Sequence, residues 1–190
     1  MLPTPVSLAG HTVIFGGSFN PPHLAHQMAC LYLVEGLGAQ AVWLLPAFVH
    51  PFGKELVPFE HRLAMCQLIA DPLGKRVAVS DVERREAASG YTYDTLVELT
   101  RRHPERRWAL AIGTDVLAET PSWHRWPDIE ALATIVVMGR QGVAAHRQGV
   151  LALPDIASRV VRERVQRRES IEGLVSVRVR AYIEQHGLYL

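Results

Sequence analysis

The sequence predicts an α/β fold, a doubly wound parallel sheet of five or so strands with helices on both faces. Short apolar runs alternate with stretches of helical periodicity, which is the rhythm of repeated strand-helix-strand units. A glycine-rich turn follows the first run and opens the first helix, at the place where such a sheet presents its ligand crevice.

The first run, Thr12-Val13-Ile14-Phe15, reads as a buried strand, and residues 24–34 read as the helix after it. Residues 40–45 give a second strand, ended by Pro46. The long loop that follows, to Pro58, carries His50, Pro51, Gly53 and Lys54 and leaves a strand end, where loops of open α/β sheets tend to be functional. Leu63, Met65, Cys66 and Ile69 set the helical period over 59–70, and residues 76–82 read as a third strand. Gly90-Tyr91-Thr92 introduces a helix to about Arg102, with Tyr91 or Thr92 near its N-cap. The fourth strand, 107–112, runs into Gly113-Thr114-Asp115, and residues 134–138 form the fifth. Between them lies the aromatic stretch 121–127, in which Trp126 reads as core. An Arg-rich helix over 158–168 and a last helix over 177–186, closed by Gly187, complete the order.

A chain of 190 residues, 48% apolar and 21% charged, suffices for one domain with a proper core, spanning 1–190. The net charge of +1 gives no broad basic face for nucleic acid or for an anionic membrane. The Arg-rich runs at 101–107 and 162–168 are interleaved with acids or lie at helical spacing, as on a solvated face. Cys30 and Cys66 fall inside predicted helices without a metal-type spacing, so they read as buried thiols of a reducing compartment. The first residues lack a basic start and a long apolar core, and no run approaches 18 apolar residues. A cytoplasmic protein is the expectation, with neither nucleic acid nor membrane as partner and with a homo-oligomer left open.

Two glycines let the backbone approach a ligand closely, and free N–H groups at a helix start favour an anion. Phosphate is therefore the expected guest of Gly16, Gly17, Ser18 and Phe19. Pro21 and Pro22 end the strand and stiffen the turn, so that His23 and His26 emerge three residues apart on one side of the first helical turn. Two imidazoles placed so can hydrogen-bond to phosphate oxygens that gain charge in a transition state.

The stretch Gly16-Gly17-Ser18-Phe19-Asn20-Pro21-Pro22-His23-Leu24-Ala25-His26 resembles the signature of the nucleotidyltransferase superfamily with the His-x-x-His motif. Within that superfamily it is similar to the bacterial nicotinate-mononucleotide adenylyltransferases, Ala25 standing where glycine is commoner. The resemblance runs from Thr12 to Tyr189. It implies a Rossmann-like nucleotidyltransferase fold whose first and fourth strands flank the crevice, placing Gly113 and Asp115 across from Gly16 and His26. It also implies transfer of AMP from ATP to nicotinate mononucleotide, giving deamido-NAD and pyrophosphate, with Mg2+ carried by the ATP phosphates and no dedicated metal cage in the protein.

Residue by residue, the resemblance gives His23 and His26 the catalytic role at the α-phosphate. The Gly90-Tyr91-Thr92-x-Asp94-Thr95-Leu96 segment is similar to a family stretch that holds the acceptor nucleotide, with Gly90 in place of serine. Trp123 matches a tryptophan that stacks on the pyridine ring. Ile156-Ala157-Ser158-Arg159-Val160-Val161-Arg162 matches a triphosphate-binding helix start, with Ser158 and Arg162 kept and Ala157 and Arg159 replacing two hydroxyl residues. The segment 156–190 would thus contribute to the ATP site. Arg159 would either grip a phosphate or face solvent, and Lys54 would either touch phosphate or be a surface lysine. Two alternatives stay open: the same fold serving another phosphate acceptor, and a nucleotide-binding protein with weakened catalysis.

Overall fold

The structure, a computed structural model, describes residues 6–48, 55–86, 89–140 and 152–190. Among these, six parallel strands form one sheet in the order β3-β2-β1-β4-β5-β6. They are β1 (His11–Gly17), β2 (Ala41–Pro46), β3 (Val77–Val79), β4 (Arg107–Gly113), β5 (Ala133–Arg140) and β6 (Ala152–Leu153). The chain begins in the middle of the sheet, winds outward to β3, then returns to the other side of β1 with β4. The strand order therefore reverses between β1 and β4, which pair in the register Val13 to Ala109 and Ile14 to Leu110. The expected flanking of the crevice by the first and fourth strands is what the sheet shows.

The alternation of side chains along β4 sorts the helices. Ala109 and Ala111 point into one apolar cluster, where their small size admits Leu33, Met65, Ile69, Val161, Val179 and Ile183. These come from the π-helical turn that follows α1 (Leu24–Leu31), and from α2 (Phe59–Ala70), α7 (Ser158–Gln166) and α8 (Val177–His186). Trp108, Leu110 and Ile112 point the other way, with Val82, Leu96, Leu99 and Ile129. These belong to α3 (Val82–Glu86), α4 (Thr92–Arg102) and α6 (Trp126–Leu132); a short α5 (Thr114–Leu117) leaves β4. Both faces are covered, as the doubly wound reading requires.

The helix start at residue 92 and the cap at Gly187, in left-handed conformation with φ 57°, fall where the sequence put them. The third strand is shorter than expected, because Val82 leaves the sheet and starts α3. α3, α5, α6 and the two-residue β6 were not anticipated; each is too short to show a period. Cys30 and Cys66 are buried and free; burial pushes the Cys30 thiol up to about 12 and Cys66 well above its ordinary value. Among the described residues no helix is long and apolar enough to cross a membrane.

Leu99, 1% exposed between α4 and the sheet, measures how firmly the second face is held. Leu99→Ala should lower unfolding stability by about 2–5 kcal/mol through lost transfer energy and a residual cavity. Urea unfolding should show it as a lower midpoint at unchanged slope.

Candidate active site

The carboxyl ends of β1, β4 and β5 open into a cavity of about 950 Å³. That is near the upper end of small-ligand sites and is room for two substrates side by side. At its centre is the turn between β1 and α1. Phe19 takes a left-handed backbone, φ 44°, which costs a non-glycine residue about 1–3 kcal/mol unless the surroundings enforce it. Here they do: the buried ring packs edge-on to Phe15 at 5.8 Å and to the His26 imidazole at 4.9 Å. Gly17 makes room for it, since a Cβ there would lie 3.3 Å from that ring.

His23 occupies the N-cap of α1 in extended conformation and is 6% exposed; His26 sits one turn on. The two rings stack at 3.6 Å with 23° between their planes, and both line the cavity. The main-chain N–H of His23 donates to His26 Nδ1 at 3.1 Å. In neutral His26 that leaves the proton on Nε2, which makes this atom a donor.

The turn is fastened from behind by side chains distant in sequence. Arg62, on α2, is 1% exposed, and its guanidinium donates to the carbonyls of Ser18 (2.9 Å), Ala47 (2.7 Å) and Val57 (3.0 Å). Burial draws its pKa down, while the nearby acids Glu60 and Glu83 pull it back up. Asn20, 3% exposed, takes hydrogen bonds on Oδ1 from the Tyr189 hydroxyl (2.9 Å) and the Val57 N–H (3.3 Å). The Asn20 carbonyl receives Arg162 Nη1 at 2.7 Å, and the Pro21 carbonyl receives the Ser158 hydroxyl at 2.8 Å.

Across the cavity, Tyr91 and Thr92 stand at the start of α4, and Trp123 stands with His124 just before α6. The Tyr91 and His124 rings lie 4.7 Å apart, tilted by 32°, and Trp123 meets Trp126 edge-on at 5.8 Å. Glu83 lies beneath this group, 9% exposed. It accepts the Phe48 N–H at 3.4 Å and the Thr95 hydroxyl at 3.2 Å. Burial raises its pKa above the ordinary carboxylate value.

Most of the expected site residues meet here. Gly16, Gly17, Ser18, Phe19, His23, His26, Tyr91, Thr92, Gly113, Asp115, Trp123 and Ser158 all line this one cavity. Arg162 does not; it sits behind the turn, holding the Asn20 carbonyl. Trp126 packs with the apolar cluster under α4 and α6, as expected of a core residue. Arg159 pairs with Glu163 at 2.7 Å on the exposed face of α7, which settles it on the solvent side. Lys54 lies outside the described residues. Arg62, Glu83 and His124 had no role in the sequence reading, because a lone Arg, Glu or His carries no spacing signal. A polar residue at a core position of a predicted helix was the available hint for Arg62.

The cytidylyltransferase-like family model matches residues 14–179. A protein of Anaeromyxobacter dehalogenans named as a probable nicotinate-nucleotide adenylyltransferase is 48% identical over 179 residues, covering 93% of this chain and 95% of the relative. The chain belongs to the nicotinate-nucleotide adenylyltransferase family. A Myxococcus xanthus relative of the same name is 39% identical over 181 residues, with 95% of each chain covered. The fold of the family is seen again in a Plasmodium falciparum nicotinic acid mononucleotide adenylyltransferase solved with NaAD. It aligns at a TM-score of 0.79 and 20% identity, over 94% of this chain and 97% of the other.

Two measurements probe how the site is held. Arg62→Met would leave three part-buried carbonyls without their donor and should cost about 3–5 kcal/mol of stability, read from urea unfolding. Glu83, with its folded pKa raised, binds its proton more tightly in the folded state. Its contribution is therefore fully present below the unfolded carboxylate value and is lost as pH rises through the folded one. The Tm of the protein relative to that of Glu83→Gln should fall across that pH window, and a flat difference would mean that folding does not shift the Glu83 pKa.

Proposed function

We propose that this protein transfers AMP from ATP to nicotinate mononucleotide, giving deamido-NAD and pyrophosphate. The observation that carries the reading is the His23–His26 stack at the α1 start, opening into the same cavity as Trp123 and the Tyr91–Thr92 helix start.

The acceptor's phosphate oxygen attacks the α-phosphorus of ATP, the bond from that phosphorus to the bridging oxygen breaks, and its electron pair leaves with pyrophosphate. No covalent link to the protein is needed, so positioning and electrostatics supply the catalysis. His26 Nε2–H and the His23 imidazole face the α-phosphate and the bridging oxygen, where negative charge grows. Gly16, Gly17, Ser18 and Phe19 bring main-chain N–H groups to the nucleotide phosphates, and Gly113 and Asp115 close the ATP side from β4. The α7 start, whose residues 156–158 line the cavity, faces the departing pyrophosphate with the positive end of its helix dipole. Arg162 sets its charge behind the turn.

The described lining residues include the acids Glu83, Asp115 and Glu119 and no lysine or arginine. A triphosphate therefore enters this cavity with its own countercharge, as the magnesium complex of ATP. The cation would be held chiefly by phosphate oxygens and water. On the acceptor side, Trp123 stacks on the pyridine ring, and N–H groups near Tyr91 and Thr92 favour its carboxylate over an amide. Two buried, free thiols suit a reducing cytoplasm as the place of the reaction.

Pyrophosphate release, measured with ATP, magnesium and a panel of pyridine mononucleotides, tests the assignment. Nicotinate mononucleotide should exceed nicotinamide mononucleotide by at least about tenfold in kcat/KM, about 1.4 kcal/mol. His26→Ala should lose roughly 3–4 kcal/mol of transition-state stabilisation while ATP binding changes little. Wild-type kcat in that variant would remove His26 from the mechanism. Trp123→Ala should weaken the acceptor by roughly 1–2 kcal/mol and leave ATP alone; no turnover with any mononucleotide, beside measurable ATP binding, would favour a binding protein.

A further inference from the structure

We infer that Tyr189 is a positioning residue for the phosphate turn, acting through Asn20 to hold the stretch that carries His23. The inference rests on the adenylyl-transfer reading for its kinetic consequence and on geometry alone for the contact itself.

Three observations converge. Tyr189 keeps a left-handed backbone at φ 67°, a conformation that a bulky residue adopts only when the surroundings impose it. α8 has already ended at Gly187, with the Leu188 N–H returned to the Ile183 carbonyl at 3.1 Å, so the strained residue is not needed to close the helix. What the bend accomplishes is to carry the phenol back to the turn, where its hydroxyl donates to Asn20 Oδ1 at 2.9 Å.

The acceptor atom is the informative part. Asn20 Oδ1 also receives the Val57 N–H at 3.3 Å, and the Asn20 carbonyl receives Arg162 at 2.7 Å. The Val57 N–H can only donate, which fixes the amide oxygen on that side, makes the Tyr189 hydroxyl a donor to it, and aligns the peptide that leads through Pro21 and Pro22 to His23. Asn20 is 3% exposed, so water is a poor substitute for a lost partner. Burial also raises the phenol's pKa, which keeps its proton in place as the donor. Without the hydroxyl, the turn loses one of its restraints while the sheet and the helices keep theirs. Small displacements of a group aimed at developing charge lower turnover before they lower binding.

The test is a double-variant cycle with Tyr189→Phe, Asn20→Ala and the two combined. Each is read by kcat, by KM for ATP and for nicotinate mononucleotide, by Tm, and by amide hydrogen exchange of residues 16–24. Tyr189→Phe keeps the ring and removes one oxygen, so folding should survive. The expected result is a kcat about five- to tenfold lower, both KM values within about twofold, and faster exchange in the turn with the β4 amides unchanged. The combined variant should lose no more kcat than Asn20→Ala alone. An unchanged kcat and turn exchange in Tyr189→Phe, or losses that multiply in the combined variant, would overturn the inference. A lower Tm with exchange raised evenly through the sheet would make Tyr189 a general stability residue instead and would overturn it equally. If the wild-type protein releases no pyrophosphate, the functional reading fails by itself, and exchange in the turn still decides whether Tyr189 holds it.

Discussion

The guanidinium of Arg62 is the contact on which the arrangement of the site depends. A parallel sheet delivers its strand ends to one edge but does not say how the loops leaving them are to lie. One planar cation on α2, donating to carbonyls after β1, after β2 and just before α2 itself, removes that freedom from three segments at once. A hydrocarbon of similar size could fill the space but could not satisfy the carbonyls, and a lysine could not span them with a fixed fork. The desolvation of the charge is offset by the polar groups that need it, with Glu60 and Glu83 adding attraction from a distance.

That cation stands behind the cavity rather than in it, and so does Arg162. The ligand-facing surface presents imidazoles, main-chain N–H groups and helix starts, with carboxylates on the walls. Such a surface has directional donors and, among the described lining residues, no basic lysine or arginine. It discriminates by where charge appears during reaction more than by how much charge the ground state carries, which suits a group transfer between two phosphates.

The sequence pattern was sufficient for the five longer strands, the parallel winding and the turn, because each rests on local signals: apolar runs, glycine, proline and a capping position. It was sufficient for Trp123 and the Tyr91–Thr92 start only through resemblance. Arg62 was visible only as a residue in a predicted helix, since its partners at Ser18 and Ala47 are 44 and 15 positions away. Glu83 fell just past the end of an expected strand and proved to lie in a short helix, where burial and the Phe48 N–H define its role. Arg162 is less simply read: the motif places it near phosphate, and the backbone carbonyl of Asn20 takes one of its donors. Spacing identifies which residues share a neighbourhood, and only the packed chain shows which of them turn their backs on the ligand.

The hydrogen bond between Tyr189 and Asn20 joins residues 169 positions apart. Protein synthesis is directional, so the turn at residues 16–23 leaves the ribosome before the phenol that reaches Asn20. In the interval the sheet can assemble around β1, β2 and β4, because their partners are already present. The turn would then wait, folded in outline and short of one restraint. Competence for chemistry would thus wait on a segment made after the strands that frame the site.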